Sequence, residues 1–66
     1  MKIELFFSLD SMIGRMLSCV RRGDPACWAG VAGVVLAVDA DNQEMHLYLE
    51  FESEFVPQGL LVVSGV

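Results

Sequence analysis

Apolar and polar residues alternate through the first nine positions, with Ile3, Leu5, Phe7 and Leu9 on one side and Lys2, Glu4 and Ser8 on the other. Phe6 alone interrupts the polar side. A period of two with aromatic residues is the signature of a strand. From Asp10 the period lengthens, and Leu9, Met12, Ile13, Met16, Leu17 and Val20 form a stripe at three- and four-residue spacing that predicts a helix. Asp10 or Ser11 can cap its start, Arg21 and Arg22 suit the negative end of its dipole, and Gly23-Asp24-Pro25 stops it. A lone helix in so short a chain must bury its stripe on a sheet, so Met12 and Met16 are expected in the core rather than in an open groove.

The next 13 residues, Ala26 to Val38, are uncharged and read as one buried element. Within it Val31 to Val38 is a β-branched run suited to a central strand, Trp28 is a lid on the core, and Gly30 and Gly33 are strand glycines. Asp39 to Gln43 supplies turn chemistry and leads into the clearest alternation of the chain. Met45, Leu47, Leu49 and Phe51 point one way, while Glu44, His46, Tyr48, Glu50 and Glu52 point the other. Pro57-Gln58-Gly59 turns the chain again before a short strand from Leu60 to Val63. The prediction is a single α+β domain over residues 1–66, ordered β-α-β-β-β, with one helix packed on one face of a mainly antiparallel three- to four-stranded sheet. Neither repeats nor linkers interrupt it.

Composition narrows the class. An apolar content of 55% excludes a disordered acidic tail. At 66 residues only about 60% of the unfolded chain's surface can be buried, so either a monomer or a homodimer is expected. The longest apolar run falls short of the roughly 20 residues of a membrane span. Glu4 and Asp10 interrupt the apolar start, which argues against a signal peptide. Cys19 and Cys27 are too few for a disulfide framework, so reduced thiols and a cytoplasmic setting are expected, with a bridge across the loop between them as the alternative. Two cysteines and a distant His46 are too few ligands for a metal site. Asp39-x-Asp41 with Glu50 echoes an EF-hand loop but has Glu44 where that loop requires glycine. No cofactor is expected. Catalysis is not expected either, because His46 shares a face with Glu44 and Tyr48 without a placed nucleophile.

Charge then supplies the functional signal. Residues 1–22 carry a net +2, whereas residues 23–66 carry seven carboxylates and neither Lys nor Arg. If the second hairpin arm runs on to residue 54, Glu44, Glu50, Glu52 and Glu54 share one side, members two residues apart standing about 6.6 Å from each other, and Asp39 and Asp41 extend the row through the turn. Such a row can be the wet face of an outer strand that deters aggregation. A solvated face usually mixes signs, however, and one of a single sign suits a cationic partner. Asp39, Asp41, Glu44, Glu50, Glu52 and Glu54 are therefore the candidate partner-binding residues. Their expected partner is the positively charged surface of a nucleic-acid-binding protein or complex, occupied by nucleic-acid mimicry. Direct binding of nucleic acid is disfavoured by the net charge of −5.

In its small size and its acidic face at Asp39, Asp41, Glu44, Glu50, Glu52 and Glu54, the chain resembles phage-encoded anti-CRISPR proteins. Several of those inhibitors are acidic and block the DNA-binding surface of a type I surveillance complex. The resemblance covers size and charge over the whole chain. It contains no motif, so it assigns no residue a role. The alternative is a structural or regulatory interaction module, or a small homodimer, that uses an apolar surface around Phe6, Trp28 and Phe55 and has no inhibitory activity.

Overall fold

The computed structural model describes residues 1–54, 59 and 61–63. The chain forms β1 (Lys2–Ser8), α1 (Met12–Leu17), β2 (Pro25–Trp28), β3 (Val31–Ala40), β4 (Glu44–Phe51) and β5 (Leu61–Val63). The α+β class stands. The strands number five, joined antiparallel in one sheet of order β1-β4-β3-β2-β5. Among the described residues no helix is long and apolar enough to cross a membrane.

The extra strand arises where the sequence was expected to run straight. Ala26 to Val38 is divided by a two-residue turn, Ala29-Gly30, between the paired residues Trp28 and Val31. Both turn residues have positive φ, 49° and 83°, the combination that matches the twist of a tight hairpin. Gly30 is thus a turn glycine. Gly33 is a strand glycine, and it has a further use. A Cβ there would lie 2.6 Å from the carbonyl oxygen of Glu50 and against the ring of Phe51. Phe51 faces Gly33 in the register, and its ring meets Trp28 on β2 edge-on at a centroid distance of 5.9 Å. The missing side chain lets an aromatic on β4 reach over β3 to β2.

The core lies on the inner face of the sheet. Met45, Leu47, Leu49 and Phe51 of β4 are buried there with Val35, Ala26, Val63 and Val20, while Ile3, Leu5, Phe7 and Leu17 pack around them half-buried. Strand β4, flanked by β1 and β3, supplies half of the buried set, as its strict alternation predicts. The final strand, expected from Leu60, begins at Leu61, and Pro57, Gln58, Leu60 and Phe55 lie outside the described residues. Cys19 and Cys27 are both free thiols, exposed at the surface.

The helix departs most from expectation. Ser11 caps it, its hydroxyl accepting from the Gly14 amide at 2.9 Å, but the helix ends at Leu17 after six residues. Arg21 and Arg22 therefore fall in the loop beyond it. Its one buried residue is Gly14, where an added Cβ would collide with the Ser8 carbonyl. The helix thus turns its glycine to the end of β1 and lifts its larger side chains away from the sheet. Met12, Ile13 and Met16 are 79%, 57% and 61% exposed, whereas Leu17 and Val20 turn inward. A helix of under two turns has no length over which to lay a full stripe on the sheet.

Candidate functional site

The outer face of the sheet is assembled from alternate residues of β1, β4 and β3. The N-terminal amine donates to the Phe51 carbonyl at 2.7 Å, and the Phe51 amide donates to the Met1 carbonyl at 2.8 Å. This reciprocal pair fixes the register, which places Lys2 opposite Glu50, Glu4 opposite Tyr48, Phe6 opposite His46 and Ser8 opposite Glu44. On the other flank of β4, Asp39 lies opposite His46 and Ala37 opposite Tyr48. Directly opposed side chains on one face stand about 5 Å apart, close enough to interact.

Asp39 owes its place to an irregularity. Between Val35 and Ala37 the β3–β4 register shifts by one residue, leaving Leu36 as the extra residue of a bulge. Val35 faces the core. Strict alternation from there would also turn Asp39 inward, opposite the buried face of β4. The bulge rephases the strand so that Val38 faces Leu47 and Asp39 emerges beside His46.

His46 is the centre of the face. Its Nδ1 lies 3.3 Å from Glu4 Oε1 and its Nε2 lies 3.3 Å from Glu44 Oε2, so one ring links carboxylates from two strands. A neutral imidazole can donate to only one of them, whereas the doubly protonated ring can donate to both. The ring of Phe6, itself exposed, meets the imidazole edge-on at 4.6 Å. Tyr48 sits alongside, and a hydrogen bond to the Glu4 side chain raises its phenol pKa above the usual 10. Partial desolvation and the negative charges of Glu4 and Asp39 push in the same direction. Each effect penalises a further negative charge at this spot.

The acidic row inferred from sequence is therefore redrawn. β4 ends at Phe51, so Glu52 and Glu54 do not continue its face and instead stand exposed in the bends that follow. Glu50 keeps its place but has Lys2 opposite it, a cation on the neighbouring strand that a count along the chain could not bring near. Asp41 remains in the turn, its amide donating to the Glu44 carbonyl at 2.9 Å and its side chain accepting from the Asn42 amide at 2.7 Å. Glu44 and Asp39 are brought together with His46. Glu4, absent from the expected set, joins them. Its outward direction could be read from the alternation in β1, but its neighbours depend on β1 pairing with β4. Among the described residues no three His, Cys, Asp or Glu side chains are placed to hold a metal ion.

A second concave feature lies on the opposite side of the sheet. Leu5 and Phe7 of β1, Ile13, Met16 and Leu17 of α1, Trp28 of β2, and Leu61, Val62 and Val63 of β5 line an apolar cleft of about 530 Å³. Since β1 and β5 are the two edges of the sheet, the sheet curls until its edges face each other across this opening. No match was found to a protein-family model, to a curated protein or to a solved structure.

Proposed function

We propose that this protein is a small acidic binding module that occupies the positively charged surface of a nucleic-acid-binding protein or complex in place of nucleic acid. One observation carries the reading: Glu4, Asp39 and Glu44, from three adjacent strands, gather around His46 and Tyr48 on one exposed sheet face. Lys2 is the one cation in the register of that face, while Arg15 lies on α1 and Arg21 and Arg22 in the loop after it. Carboxylates held on paired strands are preorganised, so an arriving Lys or Arg surface meets charge already in position and relieves its mutual repulsion. Phe6 and Tyr48 add aromatic surface next to the carboxylates, which suits guanidinium and ammonium groups. Inhibition of a type I CRISPR surveillance complex is the specific form that the size and charge of the chain suggest.

The test is competition. Immobilised protein should capture basic nucleic-acid-binding proteins from a bacterial lysate, and excess duplex DNA should displace them. The combined Glu4→Lys, Asp39→Lys and Glu44→Lys variant should lose capture while keeping its circular-dichroism spectrum. Glu52→Gln with Glu54→Gln should retain it. Capture that is indifferent to DNA, or unchanged in the folded charge-reversed variant, would overturn the reading.

A further inference from the structure

The acidic face leaves the other side of the sheet unexplained. On its α1 side the cleft is bordered by exposed apolar side chains, Met12, Ile13 and Met16, between 57% and 79% exposed. We infer that this face pairs with a second copy of the chain, the α1 ridge of each copy entering the apolar cleft of the other about a two-fold axis.

Three observations favour a copy over a different partner. First, ridge and slot occur on the same surface, because Ile13 and Met16 both project from α1 and line the cleft. A self-complementary surface is what an isologous two-fold contact requires. Second, charge selects the direction of approach. Two chains of net charge −5 repel wherever carboxylates face each other, yet the described residues lining the cleft are all apolar. Glu4, Asp39, Glu44 and Glu50 stand on the opposite face of the sheet and would point away from the joint. Third, the area suffices. Each exposed ridge side chain carries on the order of 100 Å² of apolar surface. With the cleft walls this supplies a large part of the roughly 800 Å² that a stable interface takes from each partner. A chain with so small a core gains most from such pairing. The inference does not depend on the acidic-face reading, since the two surfaces are separate.

Analytical ultracentrifugation of the full chain over a dilution series decides it. The expected result is a species of twice the 7.2 kDa chain mass that dissociates on dilution. Met16→Glu and, separately, Met12→Glu should each weaken association by at least about tenfold, because the symmetric contact repeats every change. Both side chains are exposed, so an unchanged far-UV spectrum should confirm that the variants fold. A single 7.2 kDa species at every concentration, or a dimer indifferent to both substitutions, would overturn the inference. So would a monomer whose cleft takes up an apolar dye such as ANS with the affinity unchanged in Met16→Glu.

Discussion

Gly33→Ala tests whether the curl of the sheet depends on the passage of Phe51 over β3. In an ordinary strand position this substitution stabilises by about 0.4–1 kcal/mol, by restricting the unfolded chain. Here the new methyl group would stand 2.6 Å from the Glu50 carbonyl oxygen and against the Phe51 ring. The ring can move, but the carbonyl belongs to the β3–β4 ladder and cannot retreat without loosening it. Overpacking of this kind costs about 1–3 kcal/mol, so the net change should be a destabilisation of roughly 1–2 kcal/mol. For a domain of this size that lowers the melting temperature by roughly 5–15 °C. Urea unfolding followed by fluorescence of Trp28, the single tryptophan and a direct neighbour of Phe51, reads the change at its source. Adding Phe51→Leu should relieve the ring clash but not the carbonyl clash, giving a coupling of about 0.5–1.5 kcal/mol in a double-mutant cycle. A Gly33→Ala protein as stable as the parent, or strictly additive effects, would refute the reasoning.

Two further predictions concern the site and its support. Tyr48 is the single tyrosine, so tyrosinate absorbance should show it ionising above pH 10, and Glu4→Gln should bring it back toward that value. Because its pKa is raised by folding, the stability linked to it is complete below pH 10 and is lost as pH climbs through the folded value, a loss that Tyr48→Phe should abolish. Gly14→Ala, normally favourable in a helix by about 1 kcal/mol, should instead destabilise the chain, because its methyl group meets the Ser8 carbonyl. Thermal unfolding that shows a gain would contradict the packing of α1 against β1.

Local chemistry was legible in the sequence wherever it acted alone. The alternation of Met45, Leu47, Leu49 and Phe51 predicts the inner face of β4, because a two-residue period leaves one side for the core. Asp10 and Ser11 predict the helix start, and Ser11 is the one whose hydroxyl serves an amide three residues on. The turn expected over Asp39 to Gln43 forms at Asp41 to Gln43, with Asp39 and Ala40 still in β3. The charge imbalance between the two parts of the chain is likewise a property of the sequence and identifies an acidic surface before any strand is paired.

Tertiary structure decided what those elements meet. The stripe of α1 predicts burial, but close packing of Gly14 on Ser8 directs Met12, Ile13 and Met16 outward, a contact between segments that periodicity does not encode. Glu4 reaches His46, and Lys2 comes to lie opposite Glu50, because β1 pairs with β4 at sequence separations of 42 and 48, so a charge count along the chain misses both. Asp39 faces outward because a bulge at Leu36 shifts the phase of β3, and a run of small and β-branched residues gives no sign of where such an extra residue will fall. Sequence alone determined that the chain would carry excess negative charge and a helix with an apolar side. Pairing and register, set by long-range packing, decided that the charge gathers around His46 and that the apolar side borders an open cleft.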